Sequence, residues 1–393
     1  MLIRRALSVA ATSASLLALA IPAHASPLPG NALTQFVQDV LSAHSLSTGR
    51  GVTIAVLSSG VDPSAAGLSG RVTTGPDYTS ASGVSLAVTR GTVVATVIAG
   101  SGPTGNSPGL TPGIAPAARI LSIRTSIDSN QPGARQFYET ENANTINAEA
   151  IRYAVNHGAQ VIYVDDSTRE NPGPYLWSAV QYAIAKNVVI VGNDTALSGA
   201  SGTYTYPSGL PGVIGVAAAD LRYANAPYED SRPVQNNSVL VAAPGNTVTI
   251  STGWGIDGPF AAAAWVTGTV ALIKSVYPGL SPAMVARALA NSALYRPAGG
   301  YNTSIGFGVV NPDGALQAAG ALAKLTLTAQ PGQGVAADAS FNQGAPLGTI
   351  DAVHHAPVKL AIYAGTIAAG LAMLLAAAAI AFRTRRRKAS PAG

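Results

Sequence analysis

Proton transfer near neutral pH falls first to histidine, and this 393-residue chain has five: His24, His44, His157, His354 and His355. A serine hydroxyl becomes a nucleophile only with such a base within hydrogen-bonding reach. None of the five is well placed for that. His24 closes an apolar leader, and His44 lies in the N-terminal segment. His157 follows a helical stretch, and His354 and His355 adjoin a long uncharged run, so all are expected to be surface or capping residues. Cysteine is absent, which excludes disulfides, thiolate metal sites and cysteine nucleophiles together. No cofactor and no metal are implied. The other chemically suggestive groups are Asp62 behind Ser58-Ser59-Gly60, the pair Asp165-Asp166, and Gly192-Asn193.

These groups sit between segments that alternate in type. Gly51–Leu57 is a short apolar run rich in β-branched residues, suited to a strand buried on both faces of a parallel sheet. Arg119–Arg124, Gln160–Val164, Val188–Val191, Val213–Ala217 and Val239–Ala242 read as further strands. Asn147–Asn156 has Ala148, Ile151, Ala154 and Val155 on one helical face, and His157-Gly158 stops it. Leu176–Lys186 is a helix. Phe260–Val276 is a long, small-residue helix expected at the centre, and Ser281-Pro282 starts another with Ser as cap. Thr92–Ala99 is apolar throughout, and its periodicity does not separate helix from strand. The repeated β-α-β order predicts a three-layer α/β domain with a mainly parallel sheet and right-handed crossovers.

Hydrophobic residues make up 48% of the chain and charged ones 10%, against about a quarter charged in typical domains, which excludes a disordered chain. The 42 glycines and 26 prolines have no period and imply many turns. The net charge of +5 belongs to the ends. Without Arg4, Arg5, Arg383, Arg385, Arg386, Arg387 and Lys388, the 18 acidic residues outnumber the remaining 16 basic ones. No nucleic-acid partner is indicated.

Those ends read as targeting devices. Residues 1–25 have the form of a secretory signal peptide, with Arg4 and Arg5 before an apolar stretch and Ala23-His24-Ala25 as cleavage site. From Leu360 to Phe382 no residue is charged, and a helix of that length spans roughly 35 Å, enough to cross a bilayer. The basic cluster after it predicts a cytoplasmic tail at 383–393 and an extracellular body. The expected layout is signal peptide 1–25, α/β domain 26–323, a flexible Ala/Gly/Pro/Gln stalk 324–357, a transmembrane helix 358–382 anchored in the lipid bilayer, and the tail.

The body resembles the subtilisin-like serine proteases, the peptidase S8 family. Gly113-Ile114-Ala115-Pro116-Ala117-Ala118-Arg119-Ile120-Leu121 resembles that family's G-[IV]-A-P-x-A-x-[IL]-L, and Ala150–Ala159 its helix A-I-x-x-A-x-x-x-G-A. Val188–Asn193, Tyr206-Pro207 with Val213–Ala218, Ala243-Pro244-Gly245 and Gly306–Asn311 follow in the family's order. With the two targeting ends added, the chain is similar to the mycosins, the membrane-anchored serine proteases that accompany type VII secretion systems. The resemblance implies a subtilisin-like fold and a type VII secretion membrane complex as partner.

It also implies a triad in the order Asp, His, Ser, and here the chain departs from the pattern. In the acid's motif V-x-[IV]-[IL]-D-[ST]-G-[IV], Ile54–Val61 puts Ser58 at the Asp, with Asp62 four residues on as an unpromising substitute. In H-G-T-x-V-A, Arg90–Ala95 puts Arg90 at the His, and a guanidinium stays protonated and cannot act as base. In G-T-S-[FM]-A-[AT]-P-x-V-[AS]-G, Gly258–Gly268 puts Phe260 at the nucleophile, with Pro259 and Ala264 also off pattern. Asn193 matches the residue that donates to the oxyanion; without a nucleophile it is expected to act as a turn residue. The stretch Gln160–Ser167 departs from V-I-N-[ML]-S-[LF]-G, with Asp165 and Asp166 where an apolar, glycine-containing rim is expected.

In a subtilisin, loss of the Ser or the His alone costs about 2 × 10⁶-fold in turnover. The expectation is therefore a pseudoprotease acting as a non-catalytic accessory of the secretion system, the alternative being an S8 endopeptidase with displaced catalytic groups.

Overall fold

The computed structural model describes residues 32–325, apart from 66, 80–84, 87–88, 102–112, 141–142, 166–171, 194–204, 220–226, 229–231, 234–236, 246–247 and 250–254. All of these belong to the first of two units into which the chain divides, Met1–Thr326. The expected signal peptide, most of the stalk, the transmembrane helix and the basic tail lie outside the described residues.

Seven parallel strands form the central sheet: β1 (Thr53–Ser58), β2 (Val72–Asp77), β3 (Arg119–Arg124), β4 (Val161–Val164), β5 (Val189–Asn193), β6 (Val213–Ala219) and β7 (Val239–Pro244), in the order β2-β3-β1-β4-β5-β6-β7. The central strands β1, β4 and β5 are largely apolar and buried almost throughout because both faces are covered. On one face Ile54 and Val56 of β1 and Val161 and Tyr163 of β4 join a core with α1 (Ala32–His44), α2 (Arg90–Ala99), α6 (Gly258–Val276), α7 (Pro282–Ser292) and α8 (Pro312–Ala323). On the other, Ala55, Leu57, Ile162 and Val164 pack on α4 (Ala143–Asn156) and α5 (Gly173–Ala185). A short helix α3 (Ala134–Thr140) precedes α4.

The ambiguous apolar segment at 92–99 is helical. Thr89 caps it by accepting from the Thr92 N–H, and every residue from Gly91 to Ala99 is buried, which removed the amphipathic signal. Its first turn also presses on the loop after β1. A Cβ built on Gly91 would overlap the Gly60 carbonyl oxygen, so glycine is required there by contact. Thr92 Oγ1 donates to Leu86 O at 2.6 Å and accepts from the Asp62 N–H at 2.8 Å.

Helix α6 is the one described helix long and apolar enough to cross a bilayer, but 83% of its apolar window is buried inside the fold, which makes it a core helix. Its small residues Ala261–Ala264 and Gly268 let it lie against the sheet and against Ile114. Near its end Lys274, 2% exposed, donates to the carbonyls of Asn187, Pro278 and Leu280 at 2.9–3.1 Å. Burial pushes its ammonium pKa down to about 8.

Candidate functional site

The site forms at the C-terminal ends of β1 and β4, on the face covered by α2 and α6, where open α/β sheets place their ligand clefts. Leu57 stands opposite Val164 in the parallel ladder, and the Asp165 N–H continues it by donating to Leu57 O at 3.0 Å. The next residues, Ser58 and Asp165, are therefore neighbours. The two-residue period places both on the same face as Val56 and Tyr163. Ser58 Oγ donates to Asp165 Oδ2 at 2.6 Å, and Tyr163 Oη donates to Oδ1 at 3.1 Å. Ser58 is 0% exposed, as is the Asp165 side chain.

Arg90 opens α2 and reaches into this pair. Its Nε lies 2.7 Å from Asp165 Oδ2, and one terminal nitrogen lies 3.4 Å from Asp128 Oδ1. Asp128 also accepts the Arg90 backbone N–H and the Ser59 hydroxyl, each at 3.0 Å on Oδ2, so it holds the start of α2 as well as its first side chain. The Phe260 ring, from the first turn of α6, lies under the guanidinium with 4.5 Å from Cζ to the centroid, a cation–π geometry. Ser58 and Arg90 thus meet on the Asp165 carboxylate, and Phe260 joins them through the Arg90 guanidinium.

Asn193 is the last residue of β5, in a strand and not in the expected turn. Its Nδ2 donates to the Asp165 backbone carbonyl at 2.7 Å, tying β5 to the end of β4. Asp62 is committed locally: its Oδ1 accepts from both the backbone and the hydroxyl of Ser64. His44 Nε2 donates to the Ile114 carbonyl at 2.9 Å, and His157 stacks on Tyr153 with centroids 3.7 Å apart. Asp166 lies outside the described residues. Among those described, no group of three His, Asp or Glu residues converges as a metal site would need.

Asp128 and Tyr163 are site residues that sequence reasoning missed. Asp128 sits in an irregular segment after β3 with no pattern to mark it. Tyr163 did carry a signal: a hydroxyl two residues before an aspartate on one strand faces the same way as that aspartate.

Chemically the arrangement is a charge-binding cluster, with one guanidinium held between two carboxylates and an aromatic ring. The Ser58 hydroxyl is committed as a hydrogen-bond donor to Asp165, and neither group is open to solvent. Arg90 has no basic form to offer. The Phe260 ring occupies the first turn of α6, facing the guanidinium.

The chain belongs to the subtilase family, whose model matches residues 49–308. Within it the kinship is with the mycosins. Mycosin-1 of Mycolicibacterium smegmatis is 31% identical over 331 residues, covering 70% of each chain. A crystal structure of MycP1 from Mycobacterium smegmatis matches with TM-score 0.57 and 25% identity over 75% of this chain and 86% of that one. A chain in the periplasmic assembly from the ESX-5 inner membrane complex matches with TM-score 0.58 and 26% identity, over 74% and 84%.

Proposed function

We propose that this protein is a mycosin-type pseudoprotease: a membrane-anchored subtilase without peptidase activity that serves as a structural accessory of a type VII secretion membrane complex. The observation that carries the first half is the Arg90 clamp. At the three positions where a subtilase holds acid, base and nucleophile, this chain has a buried hydroxyl, a permanently charged guanidinium pinned by two carboxylates, and an aromatic ring. Among the described residues, no general base stands at the position where the family holds its histidine. The second half is supported by the mycosin kinship and by the likeness to a chain of the ESX-5 periplasmic assembly. Docking into such an assembly needs a folded surface and an anchor, not chemistry.

The test is chemical. A fluorophosphonate probe labels only activated serines, and the unmodified protein is expected to stay unlabelled while a catalytically intact mycosin in the same membranes reacts. Phe260→Ser alone is expected to change nothing, because Arg90 still cannot accept the serine proton. Stoichiometric labelling of any serine in the unmodified protein would replace this reading with the endopeptidase one. For the second half, cross-linking the tagged protein in native membranes is expected to recover secretion-complex subunits. Recovery as a lone monomer, with secretion unchanged after deletion, refutes it.

A further inference from the structure

We propose that the triad's carboxylate has been moved one strand sideways: Asp165 supplies from β4 the negative charge that position 58 no longer carries, and so acts as the positioning residue for whatever group stands at position 90. The inference rests on the reading that 58, 90 and 260 are the triad positions. In a working triad the acid accepts a hydrogen bond from the residue opening this helix and balances the positive charge that develops there. Asp165 now does both for Arg90, at 2.7 Å.

The ladder explains how a residue 107 positions away reaches the same place. Adjacent strands run about 4.8 Å apart, and Ser58 and Asp165 are same-face neighbours across that gap. The Asp165 oxygen that takes the Arg90 N–H is also the one that takes the Ser58 hydroxyl, at 2.6 Å. It therefore stands at the tip of side chain 58, within the space that a carboxylate carried by residue 58 would occupy. Serine at 58 fits this exchange twice over. It is short enough to admit the incoming carboxylate, and it donates to it. Acids at both positions would place two negative charges in one buried site. Tyr163 and Asn193 fix the arrangement, one on the other carboxylate oxygen and one on the backbone carbonyl. Base and nucleophile have been replaced; the orienting charge has been kept and rehoused.

A charge swap in the full-length protein tests this directly. Asp165→Ser is expected to lower the melting temperature, and the swap Ser58→Asp/Asp165→Ser to recover at least half of the loss, because the carboxylate returns to Arg90 from β1. A swap no more stable than Asp165→Ser alone overturns the proposal. The second readout is spectroscopic. In Arg90→His, the introduced imidazole is expected to titrate about one unit or more higher than in Arg90→His/Asp165→Asn, by nuclear magnetic resonance of histidine-labelled protein. Identical titration in the two variants also overturns it. Probe labelling of the unmodified protein, by contrast, would sink the pseudoprotease reading and leave both of these comparisons intact.

Discussion

Removing the Arg90 guanidinium strips a wholly buried carboxylate of its counter-charge. Breaking a buried pair from one side costs about 3–5 kcal/mol. Arg90 keeps 23% of its side chain exposed, so Arg90→Met is expected at the low end, about 3 kcal/mol by chemical denaturation. Arg90→Lys should restore only part of it, since an ammonium cannot span Asp165 and Asp128 with one planar fork. Lys274 gives a pH signature. Its folded pKa of about 8 lies below the usual lysine value of about 10.4, so between those limits the folded state binds fewer protons than the unfolded one. Its contribution to stability therefore rises with pH across that window, and the full cost of burying the charge stands below pH 8. Lys274→Met, which leaves three carbonyls without their donor, is expected to be more destabilising at pH 10 than at pH 7. Equal losses at both pH values would refute the assignment. At this scale the sequence was informative where a residue stood in a frame of glycines and apolar neighbours, as Ser58, Arg90 and Phe260 do. The pairing itself was not legible. Arg90 and Asp165 are 75 residues apart, and only the sheet order makes them neighbours.

Close approaches between elements are set by single glycines. On α6, a side chain at Gly268 would run into Ile114, with Cγ2 only 2.7 Å from a new Cβ. Gly268→Val is expected to cost about 1–3 kcal/mol in thermal unfolding, the range for overpacking a filled core. A neutral result would mean that α6 shifts freely on the sheet. The elements read correctly from sequence were those with strong apolar runs: β1, β3, β4, β5, β6, β7, α4, α5, α6 and α7. Those missed have physical reasons. Edge strand β2 (VTTGPD) carries Gly75 and Pro76 and is only partly buried, so it shows no apolar run, and a proline is tolerable at an edge. Helix α8 contains Gly314 and Gly320, poor helix formers offset by the Asn311 cap and by burial of Ala315, Leu316, Ala319 and Leu322. Helix α1 was not read from the sequence, although Phe36, Val40 and Ala43 recur at helical spacing and are buried together.

For the whole molecule, the two apolar segments with basic flanks predict a mature chain beginning near Ser26, with its α/β domain outside the cytoplasm and residues 383–393 inside. Protease added to intact spheroplasts is expected to remove the body and leave a small membrane-bound remnant detectable through a C-terminal tag. A body protected until the membrane is permeabilised would reverse the orientation. The body carries no net basic balance, so binding to nucleic acid is not expected at physiological salt.

The press of Gly91 against the Gly60 carbonyl has a consequence for how such proteins are counted. Pattern searches for these proteases score glycine and threonine beside the histidine, and here both remain because the gap between α2 and the loop after β1 admits nothing larger and because Thr92 is bonded on both sides. Such a signature certifies a shape and is silent on reactivity. A genome census built on it counts chains by that shape, whereas a census by serine-reactive probes counts them by chemistry. The gap between the two tallies would measure how often the shape stands without the reactivity.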